Sequence, residues 1–552
     1  MQTAKQACVN GTNVRANLAL ALAAILLILP ACGSHPATSS RFSPGRASPG
    51  LLRIASAQVD NLNTVLSGGG SSTYLSFLWG AYLYISDPQG NLEPELATVI
   101  PTRQNGGISA DALTIVYHLR RGVRWQDGAP FDARDVIFTW HAIMNPKNNV
   151  ASRLGFDKVA GMQAPDPFTV RVRLKEPYSP AVAGLFAPSE VPLCILPQHL
   201  LARYPDINRA PYNSKPVGTG PFTIDRYDPS TGVFLKANPS YWRGVPKLRG
   251  INYLFVPDPN TVEVMMRTGE LDLAYVTATR AHELAGRPGV TIVHAPANIV
   301  WFLSLNVAHA PLDDVRVRRA IAMAVDRRRY LENFQHGIGS LAVADQPPFL
   351  WSFDPHVQAP PYDPQQAQRL LDSAGWRMTA SGYRERAGTH LTLTFAYSTD
   401  QADAIRFGPL FQEAMRGIGI DVSIKGYPYN IFYAQRSASG ILNSGKYDIA
   451  YTGWVGGVDP DDAALWMCDQ LPPGGYNWSF LCDPRIDAQE RIALRSYDRA
   501  VRRQAYWRIQ ELLAEEVPAV FLAWSDNIYA ARSTLRGFYP TSTYSNAWNW
   551  QI

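Results

Sequence analysis

Polar and apolar residues alternate with a period of two in several short stretches of the chain. Thr114-Ile115-Val116-Tyr117-His118-Leu119 and Val170-Arg171-Val172-Arg173-Leu174 are two of them, and both predict half-buried strands. The turn residues Asp127-Gly128 and Pro165-Asp166-Pro167 lie between them. Elsewhere the period is that of a helix. Asp132 and Asp135 are spaced as N-cap and N3 of a capping box, with Phe131 and Val136 placed as a hydrophobic staple. Val317, Ala320, Ile321, Ala324 and Val325 form one apolar face behind a capping Asp313 or Asp314. Arg327-Arg328-Arg329 then falls at the carboxyl end, where cations favour the helix dipole. Asp363-Pro364 opens another helix, with Ala367, Leu370, Leu371 and Ala374 inward and Gly375 as its stop. Residues 501–513 read as helix, and 299–306 and 520–524 as strands, the latter after Pro518. Strands and helices intermixed in this way predict an α/β protein.

One apolar run has neither period. Residues 18–29 are twelve unbroken apolar positions behind Lys5 and Arg15. A bilayer span needs about 20, so the run reads as the core of an export signal. It ends in Leu29-Pro30-Ala31-Cys32-Gly33, which resembles a bacterial lipobox and implies acylation of Cys32; a plain secretory signal is the alternative. Residues 33–50 hold five Ser, three Pro and three Gly, so 32–50 reads as a lipidated Cys and a flexible tether. The expected location is extracytoplasmic, anchored to the cell membrane by lipid alone.

At 552 residues the chain exceeds one core, and about 150 residues per domain suggests three to four. Apolar residues are 46% and charged residues 18%, so the bulk folds. The nominal charge of +5 falls to +3 once Lys5 and Arg15 leave with the signal, which gives nucleic acid no footprint. The 26 Tyr, 21 Phe and 14 Trp are enough both for cores and for a binding cleft. Neither CxxC nor HExxH occurs, and no metal or other cofactor is expected. Cys468 and Cys482 flank Pro472-Pro473-Gly474-Gly475, a loop that can return one to the other, and a disulfide is predicted there. Cys194, in an apolar setting, is expected as a buried free thiol.

Several segments resemble, in order, the bacterial extracellular solute-binding proteins of family 5, the dipeptide, oligopeptide and nickel class. Asp87 to Ala97 is similar to "DxxGxLxPxLA", Leu119-Arg120-Arg121-Gly122-Val123-Arg124-Trp125-Gln126-Asp127-Gly128 to "LRxGVxWxDG", and Gly218-Thr219-Gly220-Pro221-Phe222 to "GTGPF". Asn238 with Tyr241-Trp242-Arg243-Gly244, then Asp314-Val315-Arg316-Val317-Arg318-Arg319-Ala320, then Gly453-Trp454 with Asp459-Pro460 continue the series. The resemblance spans about residues 51–540. It implies a two-lobed clamp of the periplasmic-binding-protein type II kind, with an extra subdomain on the first lobe. Mapped here, lobe I is 51–84, 216–293 and 515–552, the subdomain 85–215 and lobe II 294–514. The resemblance also supports the Cys468–Cys482 pair.

It further implies a monomeric receptor that hands a peptide or similar polar solute to the permease and ATPase subunits of an ABC importer, without catalysis. Trp454 matches the family's cleft Trp, flanked by Gly453 and Val455, with Tyr451 on the same segment. In peptide-binding relatives an Asp three residues after that Trp pairs with the ligand's ammonium; here the position is Gly457. Asp459 either replaces it or caps a following helix with Asp461 and Asp462 in its first turn. Trp301, near the entry to lobe II, and Tyr74, in the loop after Gly68-Gly69-Gly70, are further cleft candidates; Tyr427 and Tyr429 are weaker ones. Gly457 keeps a non-peptide ligand open: an oligosaccharide, an opine-like compound, a metal chelate or haem. A secreted hydrolase would need a facing carboxylate pair or a GxSxG motif, and a surface adhesin needs only the tether.

Overall fold

The computed structural model describes residues 49–552 except 68, 88–89, 188–192 and 542. The export signal, Cys32 and all but the end of the tether lie outside the described residues. Among the described residues no helix is long and apolar enough to cross a membrane.

One eleven-stranded sheet runs through the molecule. Its order is Asp421–Tyr427, Thr392–Ser398, Ile449–Val455, Val290–Leu305, Ala519–Arg532, Leu273–Tyr275, Leu51–Ser56, Gly250–Phe255, Gly232–Ala237 and Phe222–Asp228. Ser340–Leu341 adds to Ala519–Arg532 outside this path. The two central strands, of 16 and 14 residues, are much longer than the rest. Their first and last parts belong to different halves of the sheet: Val293 pairs with Tyr529 on one side, and Leu303 with Val520 on the other. Between Pro296 and Val300 the register shifts. This irregular crossing is the hinge, because bulges bend a strand and interrupt its ladder.

Each side of the crossing has its own cores. Leu52, Ile54, Trp79 and Tyr253 belong to one that also takes in Tyr117, Val170 and Val172 of a separate three-stranded sheet. This is the first lobe. Leu303, Ile321, Phe395 and Phe411 form one core of the second lobe, and Trp466, Trp478, Tyr506 and Ile509 form its other. The fold is thus the two-lobed α/β architecture expected. On both sides the parallel strands point their carboxyl ends toward the space between lobes: Ser56, Phe255 and Tyr275 from one, Ser398, Tyr427 and Val455 from the other. Ligands of open α/β sheets bind outside such ends.

Local capping follows the sequence closely. Asp132 and Asp135 form the capping box of Ala133–Met144, Asp314 caps Val315–Ala324, and Asp363 caps Pro364–Ser373. One expectation is corrected. The Arg327–Arg329 triplet does not close the Val315–Ala324 helix; Val325 ends that helix in extended backbone, and Arg327 opens a second one, Arg327–Gln335. The Asp326 side chain accepts from Arg329 N, so a carboxylate offsets the cations at this positive helix end.

The family-like motifs fall at joints in the scaffold. Gln126 Nε2 donates to the carbonyls of Trp79, Gly220 and Phe222, and its Oε1 accepts from Gly218 N. Gly218 and Gly220 lie so close to the Trp79 and Gly80 carbonyls that a Cβ on either would collide with backbone. Arg120 and Arg243 both stack on Trp242, at 4.4 and 4.6 Å, while donating to the carbonyls of Glu95 and Pro94. The buried Glu95 carboxylate accepts from Tyr82 N, and burial pushes its pKa up to about 7. Arg318, 3% exposed, joins the Leu312 and Asp313 carbonyls to that of Glu516.

Candidate functional site: the space between the lobes

A cavity of about 470 Å³ separates first-lobe residues 151–157, Tyr178, Ala181 and Leu185 from second-lobe residues Gly457, Asp459, Asp461, Gln470 and Tyr476. Its second-lobe wall is the segment that follows the strand Ile449–Val455. The predicted disulfide, Cys468–Cys482, is present and closes the loop that carries Gln470, Gly474, Gly475 and Tyr476. Inside that loop Asn477, fully buried, donates to the carbonyls of Trp466, Met467 and Leu481. The wall is therefore irregular backbone, held by the disulfide, by Asn477, and by hydrogen bonds from Arg436 to the Pro472 carbonyl and from Trp478 Nε1 to Asn443 Oδ1.

The three acids of this segment have three different fates. Asp459 lies on the cavity but is gripped by Arg502, whose Nη1 and Nη2 stand 2.8 and 2.5 Å from its two oxygens. Its Oδ1 also accepts from Asp461 N in a local turn. It does not cap a helix: the next one, Ala463–Trp466, starts after Asp462 and has no side-chain cap. Asp461 accepts from Ala463 N and from the Tyr178 hydroxyl of the other lobe, each at 3.2 Å. No ion pair holds it among the described residues, and burial beside Asp459 pushes its pKa up to about 6. Asp462 turns inward, accepts from Gln346 and meets Asp345 and Glu490. Burial pushes Asp345 up to about 6, and holds Asp462 and Glu490 well above the usual carboxylate range. Such carboxyls share protons, because adjacent desolvated charges repel.

Trp454 is half-buried and stands one layer back. Its indole lies 5.4 Å from the ring of Tyr476, which lines the cavity, and 6.3 Å from Trp478. Its Nε1–H is buried with no acceptor among the described residues. Gly453 is required by a neighbour: Trp301 lies across it, and a Cβ there would approach Trp301 Cε3 to 2.9 Å. Trp301 donates to Ser525 Oγ at 3.1 Å and stacks on Tyr451, so it packs at the hinge. Val455 is exposed at the strand's end. Tyr451 is a core residue, not a cleft one. It is 1% exposed and its hydroxyl bonds that of Tyr330, because alternation along the strand turns it away from the Trp454 face.

Tyr74 is in neither a loop nor this cavity. It belongs to the helix Gly70–Trp79 and lines a second cavity of about 420 Å³ at the carboxyl ends of the first-lobe strands. Tyr253, Tyr275 and Tyr544 share that wall, with Tyr74 and Tyr544 rings 5.4 Å apart. Burial raises the phenol pKa of Tyr74, Tyr253 and Tyr544, so these three present hydroxyls and π faces without charge, while Tyr275 is partly exposed. Tyr427 ends a strand, and Tyr429 is largely exposed. The site thus brings together Asp459 with residues the sequence did not single out as ligand contacts: Tyr178, Asp461, Tyr476 and Arg502. Only Arg502 had a local signal, an arginine on the otherwise apolar helix face of Tyr506, Ile509 and Leu513.

Two lobes, a two-strand crossing and a cavity between them that sets a few polar groups in a mainly apolar wall define a solute-binding clamp. The family model described as "Bacterial extracellular solute-binding proteins, family 5 Middle" matches residues 91–475, and the chain belongs to that family, the receptors of ABC importers. It is similar to the glutathione-binding protein GsiB of Salmonella choleraesuis, 30% identical over 437 residues, covering 78% of this chain and 81% of that protein. It is also similar to the di/tripeptide-binding protein 2 of Pseudomonas aeruginosa, 29% identical over 469 residues, covering 81% and 85%. The fold matches that of NikZ from Campylobacter jejuni, solved with Ni(L-His), with a TM-score of 0.77 at 23% identity over 92% of this chain and all of that one.

Proposed function

We propose that the chain captures a small peptide or comparably sized polar solute between its lobes and delivers it to a membrane permease, without catalysis. The observation that carries this is the cavity of about 470 Å³, walled by both lobes and lined by apolar side chains such as Leu154, Phe156 and Leu185 with a few carboxylates and phenols among them. Relatives named for glutathione and di/tripeptides support the size class. Tyr476, Asp461 and Tyr178 are the proposed first contacts, with Asp459 as a neutralised wall, Trp454 as backing and Tyr74 in the adjoining tyrosine-lined wall. Gly453, Val455 and Trp301 shape the strand end behind them. The proposed lobe I is 51–84, 216–293 and 515–552, its subdomain 85–215, and lobe II 294–514; the core shared by the small sheet and the first lobe favours this division. A monomer held by lipid on Cys32 completes the reading.

A non-peptide ligand has one observation in its favour. The position of the ammonium-binding Asp is Gly457, and Asp459 is already paired with Arg502. A thermal-shift panel decides between these readings, since a ligand of the native state raises the melting temperature. Glutathione, di- to pentapeptides and their N-acetylated forms are compared with oligosaccharides and nickel–histidine chelates. Shifts from free and acetylated peptides alike uphold a peptide site without an amine anchor. Shifts only from chelates or sugars replace it, and no shift from any of them counts against solute capture at this size.

A further inference from the structure

The four tyrosines of the second cavity reach it from separate parts of the first lobe. Tyr74 comes from the helix Gly70–Trp79, and Tyr253 and Tyr275 come from the two strands that flank Leu51–Ser56. Tyr544 comes from the irregular backbone before the turn Ala547–Asn549. Tyr253 is fixed at its hydroxyl, which donates to Ser71 O at 3.1 Å and accepts from Ser56 Oγ at 2.8 Å. The Tyr74 ring lies 5.4 Å from that of Tyr544 and 6.5 Å from that of Tyr275. The fully buried Tyr529 meets Tyr275 edge to face at 5.4 Å. Tyr253 and Tyr544 are buried, whereas Tyr275 is 46% exposed, so one ring of this wall keeps much of its surface free.

Charge enters this wall at one corner and is neutralised there. Among the described residues that line it, two are charged, Glu263 and Arg280, and they pair at 2.7 Å. Glu263 also meets Arg267, and Arg280 also donates to Glu283 and Asn260. The other polar side chains are the phenols and the hydroxyls of Ser56, Ser71 and Thr277, with no amide or imidazole among them. A charged group placed here would lose its hydration without gaining a counterion. A sugar ring carries several hydroxyls, each needing a partner once buried, and this wall has few acceptors to offer. An aromatic ring needs neither. Rings pair favourably with centroids about 4.5–7 Å apart, the spacing that Tyr74 already keeps with its neighbours. The volume of about 420 Å³ lies within the range of small-ligand sites.

We propose that this cavity is a subsite for an uncharged aromatic ring borne by the captured solute, with Tyr275 as the residue that sets the preference. Its purpose rests on the solute-receptor reading, while recognition of the ring depends on the first lobe alone. The carboxyl ends of the first-lobe strands aim this wall at the space between the lobes. The two cavities then differ in what they recognise. The carboxylates Asp459 and Asp461 line one, and phenols beside an already paired Glu263 and Arg280 line the other.

The test titrates the full chain with para-cresol, the free ring, and reads binding by ligand-observed saturation-transfer NMR. Saturable binding is expected at millimolar concentration. Tyr275→Ala should weaken it about three- to tenfold, the range of one aromatic pair. Tyr275 is exposed enough for this variant to fold, and Tyr275→Phe, which keeps the ring, should bind like wild type. Methylcyclohexanol, hydroxybenzoate and methyl glucoside replace the aromatic face, add a charge and add hydroxyls respectively, and each should bind more weakly than para-cresol. No saturable binding to wild type, unchanged affinity in Tyr275→Ala, or tighter binding of any of the three comparison compounds would overturn the ring subsite. In the peptide panel, phenylalanyl dipeptides should outrank alanyl ones in wild type and lose that lead in Tyr275→Ala. Peptide hits without such a preference strike the subsite and leave solute capture standing, whereas cresol binding with no peptide hit does the reverse.

Discussion

The joint around Gln126 and the cavity wall around Asp461 are both made of glycines, carbonyls and polar side chains, yet they use them in opposite ways. At the joint the Gln126 side chain is fully engaged in four hydrogen bonds, and Gly218 and Gly220 are glycine because backbone lies where a Cβ would be. At the wall, capacity is left over. Asp461 has no ion-pair partner among the described residues, its pKa is raised, and the Trp454 indole N–H behind it is unmatched. Saturated polar groups specify one arrangement of the scaffold, whereas unsaturated ones can take a guest. The family-like motifs sit largely at joints, so they announce the clamp without saying what it holds.

The comparison is most easily broken at Gly218. Gly218→Ala should cost about 5 kcal/mol or prevent folding, since the new methyl meets the Trp79 carbonyl, and denaturant unfolding reads this directly. A mild loss would mean the joint yields. Next comes Arg502→Leu, which leaves Asp459 charged and poorly solvated. It should cost about 4 kcal/mol, with most of the loss recovered in the double variant Arg502→Leu/Asp459→Asn. Removing the disulfide by Cys468→Ser and Cys482→Ser should cost about 3 kcal/mol and loosen the wall before the joint, as hydrogen exchange would show.

Acid sensitivity separates the regions further. The Asp345 and Asp461 carboxyls, with pKa pushed up to about 6 from an ordinary value of 3.8, bind protons more readily in the folded state. Their stabilising contribution is full below pH 3.8 and is lost as pH rises through about 6. Their share of the melting temperature should therefore decline across that interval, so Asp345→Asn should gain on wild type as pH rises toward 6. The smallest expected effect is from Trp454→Phe, under about 1 kcal/mol in the ligand-free protein because the indole N–H gives up no hydrogen bond. A larger loss would show that Trp454 supports the scaffold and does not merely back the cavity.

Much of the local structure was legible along the chain. The capping box at Asp132, the caps at Asp314 and Asp363, and the Cys468–Cys482 pair depend on neighbours within a few residues or a short loop, and all are present. The boundary at Arg327 is hidden because arginines favour the carboxyl end of a helix, and only the Asp326 cap of the second helix offsets them at its amino end. The burial of Tyr451 is not legible in sequence because a strand segment does not by itself reveal which face meets the core. The ordered motifs carried the family resemblance, and it was the resemblance that implied the two-lobed fold; the residues themselves gave only intermixed strands and capped helices.

What each acid does was decided only in three dimensions. Asp459, Asp461 and Asp462 are nearly adjacent in sequence, yet one pairs with Arg502, one faces Tyr178 of the other lobe and one shares buried protons with Asp345 and Glu490. Asp459 and Asp461 reach partners 43 and 283 residues away, and Asp462 reaches 117 residues back to Asp345 and 28 forward to Glu490. A carboxylate's chemistry is set by burial and by the charges within a few ångströms, and in a clamp those come from whichever lobe closes over it. The sequence by itself determined the clamp. The tertiary structure decided which of its polar groups are engaged in holding it together and which face the space where a solute would sit.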